Sequence, residues 1–166
     1  MRPGPSSTPQ TDEEAARPYL WRFWRHIPGH GRVAIFDRSW YGRVLVERVE
    51  GLCGEEAWRR AYGEFNAFEA DLVTNGILSV KFWLQIGKVE QLRRFRERQR
   101  GGFKHFKITP EDWRNRKRWD EYQPAAEMID RMSTDLAPWT LVEAEDKLLE
   151  RIKVLKTIRR TFEAAP

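Results

Sequence analysis

The sequence has a single cysteine, Cys53, among 166 residues. One thiol closes no intrachain disulfide and completes no cysteine zinc cluster, so a reducing compartment is the expectation. No apolar run reaches the length needed to span a bilayer, and the N-terminus lacks the charged-then-apolar pattern of a signal sequence. Together these absences point to a cytoplasmic protein with no membrane partner. Histidine is scarce as well: His26, His30 and His105 have no spacing that suggests a zinc site or a catalytic triad. There is no internal repeat.

What is present fits one soluble globular domain. Hydrophobic residues make up 40% and charged residues 33%, and a chain of this length buries roughly 70% of its unfolded surface. Thirty Lys and Arg against 25 Asp and Glu leave a net charge of +5. The surplus concentrates between Arg93 and Arg118. Such a block attracts an anion, and nucleic acid, phosphate ester, acidic lipid and polyphosphate all qualify on charge. A solvated helix face is the plainer alternative.

Along the chain, Met1 to Thr11 is rich in Pro, Ser and Thr and reads as a flexible tail. Asp12 offers a helix N-cap for a stretch to about His26, with Tyr19, Leu20, Phe23 and Trp24 on one face. "HIPGHGR" breaks that helix. "VAIF" (Val33 to Phe36) then reads as a strand buried on both faces, as do "ILSVKFWLQI" (Ile77 to Ile86) and "WTLVEA" (Trp139 to Ala144). Each is followed by a helical pattern, which argues for an α/β fold with a parallel sheet. From Glu55 to about Asn75 the apolar residues recur at helical spacing, and "NG" at Asn75 and Gly76 ends the helix. Thr109, Pro110, Glu111 and Asp112 form a helix start, and Asp146 to Phe162 a closing amphipathic helix.

In an open parallel sheet ligands bind at the carboxyl ends of the strands, which is where Asp37 stands. Four apolar residues followed by Asp is the Walker B layout, whose carboxylate holds Mg2+ beside phosphates. A helix cap is the structural alternative. Arg38 follows directly, and Arg43 and Arg48 lie on the next helix, so guanidinium groups suited to phosphate oxygens surround the carboxylate. Arg43 and Arg48 have Glu47 and Glu50 as possible surface partners, and for Arg43 that reading is preferred.

"FDRSWYGRVLVERVEG", "EQLRRFRER", "FKITPEDWRNRKRWDEY" and "APWTLVEAEDK" together resemble the polyphosphate kinase 2 family, most of all the module of polyphosphate:AMP phosphotransferases. The resemblance runs from about Asp12 to Phe162. It implies a P-loop kinase-like, three-layer α/β/α fold with a parallel sheet. It also implies Mg2+-dependent phosphoryl transfer between inorganic polyphosphate and AMP or ADP, with no nucleic-acid partner. Carried over on these motifs, Asp37 and Arg38 are the Walker B pair, Arg48 contacts substrate, and Arg98, Lys104 and Lys107 belong to a basic lid over residues 93 to about 118. Arg93, Arg96 and Arg100 read equally well as solvated helix charges. Trp113, Trp119 and Tyr122 are placed to stack a base or to pack against the lid, and helical spacing favours packing.

The sequence departs from that family in three ways. No G-x-x-x-x-G-K occurs anywhere, so the Walker A loop that cradles phosphates is absent. The expectation is a domain over 12–166 truncated at its N-terminus, with a sheet edge and an apolar face left exposed. Such a chain would homo-oligomerise or associate with the missing N-terminal part, and have little activity alone. Gly42 stands where many relatives carry Asn, and Gly87 where a capping Ser is expected. The competing function is a non-catalytic polyphosphate- or polyanion-binding module. Nucleic-acid binding is a third class, distinguishable by competition with polyphosphate.

Overall fold

The computed structural model describes residues 2–3, 10–101, 108–125 and 127–165. The chain divides into two compact units, Met1–Phe65 and Asn66–Pro166. Helices and parallel strand pairs make up both, an α/β composition as the alternating pattern predicts.

In the first unit the opening helix is two short ones. Helix α1 (Asp12–Ala15) is capped by Thr11, whose hydroxyl accepts from the Glu14 amide while the Glu14 carboxylate accepts from the Thr11 amide. Helix α2 (Trp21–Trp24) follows separately. The expected continuous helix to His26 is interrupted at Pro18, which has no N–H to donate and disfavours helical geometry at the residue before it. The break also rotates the apolar face: Phe23 is buried, Trp24 is exposed, and Arg22 takes the second buried position.

Strand β1 (Arg2–Pro3) pairs in parallel with β2 (Ala34–Ile35). The run "VAIF" was expected to be buried on both faces, yet Val33 and Ile35 are 56% and 58% exposed. Only the other face is covered, where the Phe36 ring lies 5.6 Å from Trp40. With so short a partner, nothing among the unit's described residues supplies the second layer that a parallel strand needs. A 3-10 turn (Ser39–Arg43) buries Trp40 and Tyr41, and α3 (Val46–Glu50) ends at Gly51 with φ +68°. Leu52 donates back to the Glu47 carbonyl there, a left-handed helix stop. Phe23, Trp40, Tyr41, Val44, Tyr62 and Phe65 form this unit's core. Edge-on aromatic contacts run through it, among them Phe23 to Trp40 at 5.9 Å and Tyr41 to Phe65 at 6.0 Å.

Helix α4 (Glu55–Thr74) carries the boundary between units, and stops at Gly76 (φ +82°) as the "NG" pair foretells. In the second unit β3 (Lys81–Gln85) pairs in parallel with β4 (Trp139–Glu143), Lys81 opposite Trp139 through Gln85 opposite Glu143. The strand expected from Ile77 to Ile86 is half that length. Between the two lie α5 (Lys88–Arg100), α6 (Pro110–Lys117), α7 (Trp119–Ala125) and α8 (Met128–Arg131), and α9 (Lys147–Glu163) closes the unit. Thr109 caps α6 in a capping box with Asp112, with Pro110 at the first turn. Asp146 caps α9, accepting from the Leu148 and Leu149 amides. Phe68, Leu72, Phe95, Met128, Met132 and Val142 are buried.

Each face of the sheet is covered only in part: Leu84 is 51% exposed on the face of the buried Val142, and Leu141 54% exposed on the opposite face, which also carries the buried Lys81. Helix α9 has no buried residue, and Leu148, Leu149, Ile152, Leu155 and Phe162 are all exposed. Among the described residues no helix is long and apolar enough to cross a membrane.

Candidate functional site

Asp37 lies one residue beyond β2, after Phe36, and is exposed, so its carboxylate is open to a ligand. The backbone turns sharply behind it. Arg38 has φ +59° and Ser39 φ +55°, a left-handed conformation that side chains with a Cβ adopt reluctantly, at a cost of about 1–3 kcal/mol each. Two such residues in succession persist only where the surroundings hold them. Here the buried Ser39, Trp40 and Tyr41 anchor the turn, leaving Asp37 and Arg38 exposed before it.

Arg48 sits on α3 with its guanidinium 4.2 Å from the Trp58 ring centre, and donates to the Tyr62 hydroxyl at 3.4 Å. It is therefore oriented by aromatic neighbours. Arg43 is ion-paired with Glu47 at 3.1 Å, in keeping with the preferred reading, and also lies 4.0 Å over the Tyr19 ring. This group is half-buried rather than a surface pair. Burial raises the pKa of the Glu47 carboxyl against the pull of Arg43 and Arg22. Burial, reinforced by Glu47, raises that of the Tyr19 phenol, whose hydroxyl donates to the Trp40 carbonyl at 3.0 Å.

In the second unit, α5 begins just beyond the carboxyl end of β3 and carries Arg98, which is half-buried. Lys104 and Lys107 lie outside the described residues. Arg93 is paired with Glu90 and Glu97, so it is a solvated helix charge. Arg96 and Arg100 are exposed on the same helix. Trp113 packs edge-on against the buried Phe95 at 5.3 Å, the packing role that its spacing favours. Among the described residues no group of three His, Cys, Asp or Glu is gathered to hold a metal. A lone carboxylate still suits Mg2+, which is held by one or two carboxylates with phosphate oxygens and water.

Asp37, Arg38 and Arg48 thus belong to the first unit and Arg98 to the second. Sequence reasoning overlooked two clusters. Glu69 and Lys81 are buried and bonded at 2.7 Å, and Lys81 also donates to the Met132 carbonyl at 2.6 Å. A signal existed, since Glu69 interrupts the apolar stripe of α4 between Phe65 and Leu72, and Lys81 interrupts "ILSVKFWLQI". The other joins the carboxyl ends of β3 and β4. There the Gly87 amide donates to Glu145 Oε1, and Arg94 donates to the carbonyls of Ala144 and Glu145.

A strand-end carboxylate followed by arginine, with a basic helix after the next strand, is an α/β arrangement whose charges suit phosphate oxygens. A model of the polyphosphate kinase 2 (PPK2) family matches residues 6–166, and the chain belongs to that family. It is 60% identical over 156 residues to a polyphosphate:AMP phosphotransferase of Pseudomonas aeruginosa, covering 93% of this chain and 32% of that protein. An NDP-polyphosphate phosphotransferase of Ruegeria pomeroyi is 39% identical, with 89% and 50% covered. A solved structure of polyphosphate kinase 2 from Arthrobacter aurescens superposes with a TM-score of 0.89 at 36% identity, covering 93% of this chain and 55% of that one. The chain thus spans about a third to a half of the length of these relatives.

Proposed function

We propose that the chain is the part of a polyphosphate-dependent nucleotide phosphotransferase that bears the metal carboxylate and the basic lid, within a P-loop kinase-like three-layer fold. The substrates are inorganic polyphosphate and AMP or ADP. In the transfer a terminal P–O–P bond of polyphosphate breaks as a nucleotide phosphate oxygen bonds to the same phosphorus. The shortened chain leaves with the bridging oxygen, and nothing is oxidised or reduced. Bound Mg2+, held by Asp37 and the phosphates, would neutralise charge on the transferring group. Arg38 and Arg98 serve the same end, with Lys104 and Lys107 carried over from the family motif, and Arg48 contacts substrate. Such transfer is mostly positioning and charge neutralisation, and losing one preorganised group costs on the order of 10²-fold to 10³-fold in rate.

The observation that carries this reading is the strained turn at Arg38 and Ser39 behind an exposed Asp37. A purely structural cap has no need of strain at the residue after it. Identity of 58–60% to polyphosphate:AMP phosphotransferases over nearly the whole chain supports AMP as acceptor. The protein would act in the cytoplasm. The phosphate-cradling G-x-x-x-x-G-K does not occur within these 166 residues, and the chain would either homo-oligomerise or associate with the part that carries it.

The test is nucleotide phosphorylation by the folded 166-residue chain with Mg2+, polyphosphate and AMP or ADP, alongside Asp37→Asn. Activity lost in the variant supports the enzyme. Mg2+-independent polyphosphate binding unchanged by Asp37→Asn, without transfer, favours the second reading, a non-catalytic polyanion-binding module. The missing G-x-x-x-x-G-K is the observation on that side.

A further inference from the structure

Helix α5 starts without the cap its sequence position leads one to expect. A helix begins with four amides that have no partner within it, and Ser or Thr at the N-cap ordinarily serves one of them. Gly87 occupies that position in extended geometry and has no side chain to offer. Three residues on, Glu90 is placed to complete a capping box. It is engaged elsewhere, with Arg93 and with Arg94 at 2.6 Å. The Gly87 amide is served instead by Glu145 Oε1, which reaches across from the loop after β4.

The space at Gly87 matches this arrangement. A Cβ built there would stand 3.0 Å from Glu145 Oε1, closer than ordinary carbon–oxygen contact, so a side chain at position 87 requires the carboxylate to shift by a few tenths of an ångström. A second tie runs in the opposite direction, as Arg94 of α5 donates to the Ala144 and Glu145 carbonyls. The loop is fixed in turn by the Ala144 amide, which donates to the Gln85 carbonyl at 2.8 Å.

We propose that Glu145 is a positioning residue that caps α5 from the β4–α9 loop, and that Gly87 exists to admit it. The tie couples the carboxyl ends of both strands to the helix that carries Arg98. Arg98 stands about 15 Å along the helix from Lys88 at 1.5 Å per residue, so a small tilt at the start is magnified at its guanidinium. The cap stands on geometry alone. Its consequence for polyphosphate binding rests on the function proposed above.

The experiment uses the whole chain with Glu145→Ala, Glu145→Gln, Gly87→Ser and the double variant Gly87→Ser/Glu145→Ala. Amide hydrogen exchange of residues 87–91 and the half-saturation for inorganic polyphosphate of defined length are measured on each. Expected for Glu145→Ala is exchange about fivefold to tenfold faster at the helix start, the size of one lost cap, with polyphosphate binding weakened severalfold. Glu145→Gln, still an acceptor, retains most of both. Gly87→Ser gains little protection in the parent, because its Cβ crowds the carboxylate, yet it restores protection and binding in the Glu145→Ala background. Unchanged exchange in Glu145→Ala, or equal effects of Gly87→Ser in the two backgrounds, overturns the cap. Exchange that follows the cap while polyphosphate affinity stays constant across the series overturns the positioning role. If the parent binds no polyphosphate, the functional reading fails, and the exchange series still decides the cap.

Discussion

Arg38 illustrates how a single residue carries a cost and a use together. Its φ of +59° is strained for any residue with a Cβ. Arg38→Gly is expected to raise stability by up to about 1 kcal/mol while lowering Mg2+-dependent phosphoryl transfer. Denaturant unfolding and a coupled nucleotide assay on one preparation check both halves. Asp37→Asn is expected to change stability by less than about 0.5 kcal/mol, since the side chain is exposed. It should lower transfer by about 100-fold or more. Lys81 behaves in the opposite manner. It is buried against Glu69, and removing one partner of a buried pair costs about 3–5 kcal/mol, so Lys81→Met should unfold at markedly lower denaturant. Burial lowers the Lys81 pKa below its ordinary 10.5, opposed by Glu69. Just below pH 10.5 the unfolded chain then binds more protons than the folded one, and this group makes stability rise with pH in that window. Lys81→Met should flatten that slope.

At the scale of elements, local rules account for most starts and stops. Thr109 and Asp112 form the capping box of α6, with Pro110 in its first turn, where the sequence places the helix start, and Thr109→Ala should cost about 1 kcal/mol in a thermal melt. The NG stop of α4 follows from the left-handed Gly76. Helix α5 adds a pH signature, because Arg93 and then Arg94 hold the Glu90 carboxyl down to about 2. Its folded pKa lies below its unfolded one, so its stabilisation is present above pH 4.5 and is lost as pH falls through about 2. Glu90→Gln should remove that part of the acid dependence in helix content followed by circular dichroism. Where element reading erred, the cause is identifiable. Pro18 divides the first helix, and the apolar run from Ile77 overstates β3 because apolar content alone does not distinguish a strand from the chain leading into it.

For the whole molecule, apolar surface is the distinctive property. Val33, Ile35, Leu84, Leu141 and five large residues of α9 are exposed, while Phe65 and Val142 are fully buried. Changing Leu149 and Leu155 to Gln should leave the melting temperature within about 2 °C and increase solubility, since exposed residues contribute little to stability. Phe65→Ala should cost about 3–5 kcal/mol. Much of this molecule was legible in advance: the α/β class, the stop of α4, the cap of α6, the closing helix α9, and the family to which "FDRSWYGRVLVERVEG" and its companion motifs belong. These depend on residues within a few positions of one another, whose spacing sets periodicity and capping irrespective of the rest of the chain. The exposure of the strands, the burial of Glu69 with Lys81, and the service of Gly87 by Glu145 depend on residues up to 58 positions apart. No local pattern encodes such meetings, because whether a face finds cover or an amide finds an acceptor is settled when distant segments pack.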